Sequence, residues 1–112
     1  MALNTDAKNA MLTELASLIT YVALTNDTDT ELSGGSPAYA RKTITWNTPS
    51  GGAMTASNTP VFDIPSGAVV GKVKFYNASS GGTLYGEYDV TNETYGGQGT
   101  YTLDSASINL NK

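Results

Sequence analysis

The chain has 112 residues, 10 acidic against 6 basic side chains, a formal charge of −4, and neither histidine nor cysteine. That length suits one domain and is short for two, and the acidic balance, with no lysine or arginine run, argues against a nucleic-acid partner. Without cysteine and histidine there is no disulfide, no thiolate nucleophile, no soft-metal ligand and no imidazole base.

The opening "MALNTDAKNA" has neither the basic flank nor the apolar run of a secretory signal, and no stretch of about 18 apolar residues follows, so no membrane partner is expected. In "NTDAKNAMLTELASLI" Ala7, Ala10, Met11, Leu15 and Leu18 recur at steps of three and four and share a helical face. Asn4 or Thr5 can cap this helix, and Asp6 sits favourably in its first turn. Roughly three turns are too short to persist alone, so the helix docks either on its own sheet or on another subunit. "TYVALT" reads as a strand, and the polar "NDTDTELSGGSP" as a loop. "AYARKTITW" sets Ala40, Ile44 and Trp46 on one side against Tyr39, Arg41, Thr43 and Thr45 on the other, a half-buried strand that Lys42 interrupts. After the turn "NTPSGG", "AMTAS" is a short strand; after "NTP", "VFDI" offers Phe62 and Ile64 to one face.

"AVVGKVKFYNASSGGTLYGEYDV" holds two alternating runs about a glycine-containing turn, the signature of an antiparallel hairpin. On its first strand Val69, Val73 and Phe75 oppose Val70, Lys72, Lys74 and Tyr76; on its second, Leu84, Tyr88 and Val90 oppose Tyr85, Glu87 and Asp89. Two registers fit: Lys72 opposite Glu87 with Lys74 opposite Tyr85, or Lys74 opposite Glu87 with Lys72 opposite Asp89. "TNETYGGQG" then reads as a flexible loop, "TYTLD" as a strand, and "ASINL" as a last strand carrying Ile108 and Leu110. The expected architecture is mainly β: an antiparallel β-sandwich or jelly-roll-like barrel of seven or eight strands with one short N-terminal helix. It forms a single domain over 1–112, with the helix and lead-in over 1–19 and the sandwich over 20–112.

Candidate chemistry is sparse. Asp27, Asp29 and Glu31 at alternate positions can direct three carboxylates at a hard cation such as calcium, but the loop lacks the glycine and distant glutamate of an EF-hand, and a solvated loop is the simpler reading. Glu87 and Asp89 share a strand face, as paired carboxylates of a glycosidase can; lysines across the hairpin make an exposed ion-paired face simpler. "YGGQG" precedes a strand and carries no lysine, so it is no phosphate loop. The sequons at Asn26, Asn77 and Asn92 follow from the abundance of Asn and Thr. No catalytic residue, cofactor or metal is assigned, and the chain is not expected to be an enzyme. Trp46, Phe62 and Phe75 are expected in the core, while Tyr39, Arg41, Tyr76 and Tyr85 form the candidate contact surface, because aromatic rings bury large area at small entropic cost.

The blocks "MALNTDAKNAML", "ELSGGSPAYARKTITW", "TPVFDIPSG", "GGTLYGEYDVT" and "ETYGGQGTYTL", in this order over almost the whole chain, resemble a family of small virion proteins of tailed phages that infect actinobacteria. Members are commonly labelled tail fibre proteins, and some small β-rich proteins of such phages decorate capsids. The resemblance implies a non-enzymatic virion component, made in the host bacterial cytoplasm and bound outside the particle. It is expected foremost as a capsid decoration protein bridging capsomers, with the major capsid protein as partner and a homo-oligomer, such as a trimer, as its form. The alternative it leaves is a tail fibre or baseplate component, partnered by other tail proteins, with carbohydrate-binding activity in host recognition.

Overall fold

The structure, a computed structural model, describes residues 2–111. Its first element is α1 (Thr5–Leu18), where Asn4 caps the helix by accepting a hydrogen bond from the Ala7 N–H at 2.9 Å, and Asp6 lies in the first turn. Leu12 is its one buried side chain; Ala10 is exposed and Met11 is 45% exposed. The inward face is therefore rotated from the predicted Ala7–Ala10–Met11–Leu15–Leu18 stripe. Two polar residues accompany this: Asn9 Oδ1 accepts from the Gly52 N–H at 3.0 Å, and Lys8 Nζ donates to Asn111 Oδ1 at 2.8 Å. They tie that side of the helix to its own chain.

Eight strands follow among the described residues: β1 (Tyr21–Thr25), β2 (Lys42–Thr43), β3 (Ala53–Thr55), β4 (Val61–Ile64), β5 (Val69–Tyr76), β6 (Leu84–Thr94), β7 (Gly99–Thr102) and β8 (Ser107–Asn109). They form a four-stranded antiparallel sheet in the order β2-β1-β5-β6 and two antiparallel ribbons, β3-β8 and β4-β7. Val22, Leu24, Val73 and Phe75 of the sheet pack with Phe62, Ile64, Leu103 and Ala106 of the ribbon side, and this apolar layer holds the two together. The fold is thus mainly β and sandwich-like, with one N-terminal helix.

The hairpin adopts the second of its two anticipated registers, Lys72 opposite Asp89 and Lys74 opposite Glu87. Irregularities bracket this regular stretch. Tyr85 is an extra residue between the Phe75–Gly86 and Tyr76–Leu84 pairs, and the one residue Gly71 faces three, Val90 to Asn92. The second irregularity resets the alternation, so Val70 rather than Val69 joins Val73 in the core. Gly71 is required there by close approach, since a Cβ would lie 2.7 Å from the Asp27 nitrogen and 2.9 Å from Asn92 Oδ1.

Two further expectations change. "AYARKTITW" yields only the two residues of β2, with Ala40 exposed and Trp46 paired singly with Ala56. Its backbone crosses between layers: the Ile44 N–H donates to Thr20 while the Asn47 N–H donates to Thr55, and no strand can follow both. Trp46 is nonetheless seated on the core, its indole N–H donating to the Ile19 carbonyl at 3.0 Å. Conversely "TNET", expected in a loop, continues β6, because Val69 and Val70 offer ladder partners to Thr94 and Glu93.

Candidate interaction surface

Lys72, Lys74 and Tyr76 project from the outer face of the sheet, beside the small residues Ala23 and Thr25 of β1. The loop after β1 folds back across this face. Asn26 Oδ1 accepts from the Thr28 N–H, the Thr28 hydroxyl and the Thr30 N–H, and Asp29 adopts a left-handed φ of 69°, a conformation Asp and Asn tolerate best after glycine. The turn sets Asp29 Oδ1 2.8 Å from Lys72 Nζ and 2.9 Å from Lys74 Nζ, with the Glu87 carboxylate 3.7 Å from both. An exposed ion-paired face was expected; Lys74 is instead buried, its side chain 8% exposed, under the Asp29 carboxylate. Asp27 accepts from Asn92, Asp29 pairs with the two lysines and Glu31 turns to Arg41, so the three loop carboxylates diverge to separate partners and do not gather about a cation.

Hydrogen bonds from Lys72 and then Lys74 hold the Asp29 carboxyl below its ordinary range, and the same contacts, with Asp29 as main partner, raise both lysines. A depressed carboxylate contributes stability that is present above its unfolded pKa and lost as pH falls through its folded one; a raised lysine contributes below its unfolded pKa and loses it as pH rises through the folded one. Stability is therefore expected to be level near neutrality and to decline below about pH 4 and above about pH 10. Asp29→Asn keeps the tolerance for left-handed backbone and removes the charge. It should lower the denaturant midpoint at pH 7 and converge on the parent chain in acid; a gap that stayed constant with pH would refute the ion-pair account.

Beside this cluster, Arg41 grips Glu31 with two bonds of 3.0 Å, Nε to Oε2 and Nη2 to Oε1. Its Nη1 donates to the carbonyls of Ala78 and Gly81 at 3.0 and 2.8 Å, and its guanidinium carbon lies 3.8 Å from the centre of the Tyr76 ring. Burial works to raise the Glu31 carboxyl, but the hydrogen bonds from Arg41 and Tyr39 outweigh it and hold the group low. The Tyr39 hydroxyl donates to Glu31 Oε2 at 2.8 Å and accepts from the Leu24 N–H at 3.0 Å, and its ring stacks on Phe62. Burial accordingly pushes the Tyr39 phenol far above its usual range.

Three of the four candidate contact residues, Tyr39, Arg41 and Tyr76, therefore form an internal tie rather than an outward surface. The Arg41 side chain is only 7% exposed. What alternation placed on the outer side, the returning loop and the hairpin turn cover. A depression of about 310 Å³ over Glu31, Arg41 and Ser79 to Gly81 offers no free cation, since every guanidinium nitrogen already has a partner. Tyr85 is separate and open, 37% exposed at its bulge.

Tyr85 borders the second concavity, a groove of about 360 Å³ between the layers. Its walls are Tyr85 and Tyr88 of β6 on one side and Ile108 and Leu110 on the other, and Leu15, Ile19 and Phe75 also line it. Both walls are strand edges. Leu24 spends its backbone on Tyr39 and Leu32, so along β1 Ala23 and Thr25 bond to β5 at Lys74 and Lys72. Val73 and Phe75 then bond to Tyr88 and Gly86, which leaves the backbone groups of Glu87 and Asp89 aimed away from the sheet. On β8, Ala106 and Leu110 bond towards β3, so Ser107 and Asn109 aim theirs away from it.

No family model, no curated protein and no solved structure matches this chain. The site's description therefore rests on its own residues. Tyr85 alone among the sequence-selected contact residues belongs to the groove. Leu15, Ile108 and Leu110 carried a signal, as apolar positions of an amphipathic helix and a last strand, but that signal is the same for a closed core as for an open wall.

Proposed function

We propose that the protein is a non-enzymatic structural component of a phage virion, bound to the outside of the particle as a capsid decoration protein that bridges capsomers. The observation that carries this reading is the contrast between its polar and apolar surfaces. The clustered charged groups, Asp29, Glu31, Arg41, Lys72, Lys74 and Glu87, are engaged with one another, while an apolar groove between two strand edges stays open. Such a surface suits adhesion. The ordered sequence blocks supply the virion context. A decoration protein acts mechanically: surface buried across the joint between shell subunits is re-exposed when they part, so binding adds to the work of separation.

A polyclonal antibody against the chain, applied to purified particles and imaged with gold, tests the reading. Label distributed over the heads is expected. Label confined to the tail would transfer the protein to the tail fibre or baseplate reading, in which Tyr85 is the one exposed tyrosine and is available to stack on host carbohydrate. Particles that carry none of the protein would overturn both.

A further inference from the structure

The groove between β6 and β8 is built to take a strand, and the charge around it states which kind. We propose that it receives an extended basic segment of a different protein, which adds to the free edge of β6, β8 or both and lays an apolar side chain against Tyr85, Tyr88 and Ile108. This rests on the reading of the chain as an adhesive structural protein and names the chemistry of its partner.

Three observations carry it. Glu87 and Asp89 on one wall and Ser107 and Asn109 on the other direct backbone N–H and C=O groups outward, and among the described residues no backbone bond joins β6 to β8. An added strand supplies the missing partners, as in strand-addition complexes generally. Second, the irregularities at Tyr85 and at Val90–Asn92 leave a regular edge only from Gly86 to Asp89, so the incoming segment is short. Third, of the ten acidic side chains only Asp29, Glu31 and Glu87 are ion-paired among the described residues, and Asp89 and Glu93 lie unpaired along β6 itself. Arg41, Lys72 and Lys74 are already committed, leaving Lys8 and Lys42 as the described cations without a carboxylate.

A second copy of this chain is therefore a poor occupant. Antiparallel pairing of β6 with another β6 would set Glu87, Asp89 and Glu93 near one another across the joint, where like charges repel. A segment alternating lysine or arginine with valine or leucine matches edge, groove and charge together. Self-association, where it occurs, uses another face.

The test uses the full chain and two synthetic seven-residue peptides, one alternating lysine with valine and leucine, the other with glutamate in place of lysine, followed by amide NMR. The basic peptide is expected to saturate with a dissociation constant below about 1 mM and to shift the amides of Glu87, Asp89, Ser107 and Asn109. Affinity should fall at least about tenfold when the peptide's alternate nitrogens are methylated, which removes its ladder donors, and several-fold in the exposed-site variant Asp89→Asn. Equal binding of the acidic peptide, shifts confined to other surfaces, no saturation, or a sedimenting dimer lost on peptide addition would each overturn the inference. The outcomes separate from those of particle labelling: labelled heads without peptide binding sink the groove assignment alone, and peptide binding without labelled particles sinks the virion reading alone.

Discussion

Phe62→Ala is expected to cost about 3–5 kcal/mol, enough to unfold a large share of molecules if total stability lies at the low end of the usual range of about 5–15 kcal/mol. Phe62 is fully buried at the centre of β4, stacks against Tyr39 at 6.4 Å between ring centres, and belongs to the layer that joins the ribbons to the four-stranded sheet. Truncation removes the area a phenyl ring buries and leaves a cavity that β-strands locked in register on both sides cannot collapse to fill. Loss of the ring also frees Tyr39, whose hydroxyl is held by Glu31 and Leu24, so part of the cost should be transmitted to the Arg41 tie. Phe62→Leu keeps most of the apolar area and is expected to cost roughly 1–2 kcal/mol. Equilibrium denaturation of the two variants decides the matter, and a near-neutral alanine would mean that the two layers are not held together at this point.

Arg41→Ala is the second large effect, expected at about 2–4 kcal/mol. Removing one partner of a buried pair strands the other, which typically costs about 3–5 kcal/mol, and the lower figure allows for water reaching Glu31, whose side chain is 32% exposed. The arginine does three things at once: it neutralises Glu31, it ties the Ala78 and Gly81 carbonyls of the hairpin turn, and it covers the Tyr76 ring. Lysine can replace only the charge, since its ammonium lacks the planar fork that spans a carboxylate and two carbonyls, so Arg41→Lys should recover less than half of the loss. Hydrogen exchange reports the location: the Thr83 amide, which donates to Asn77 Oδ1 at 2.9 Å within the turn, should lose protection in both variants, and unchanged protection there would show that Arg41 does not hold the turn. In a double-mutant cycle, adding Glu31→Ala to Arg41→Ala should cost less than it does alone.

Much of the fold is legible in the chain. Period-two alternation across "KVKFY" and "GEYDV" with a glycine-containing turn between them determines the hairpin, and charge alone narrows its register to two choices, one of which is realised. Asn4 caps the helix because its side chain reaches the N–H three residues on, a purely local event. Phe62, Ile64 and Phe75 are buried as their strands' alternation requires. Each of these outcomes depends on neighbours in sequence or across one hairpin connection.

Tertiary structure decided what alternation assigned only to a side of the chain. Tyr39, Arg41 and Tyr76 had the composition of a contact surface, yet contacts with residues many positions away, Glu31, Ala78 and Gly81 among them, turned them into an internal tie. Lys74 was set on an outward face, but the loop carrying Asp29 closed over it. The helix face rotated, with Gly52 and Asn111 answering Asn9 and Lys8. The groove exists because a sheet edge and a ribbon edge, built from segments separated in sequence, were brought near each other without being joined. Periodicity records which side chains leave the backbone together; what then covers that side depends on which distant segments return, and no short window of sequence contains that distance.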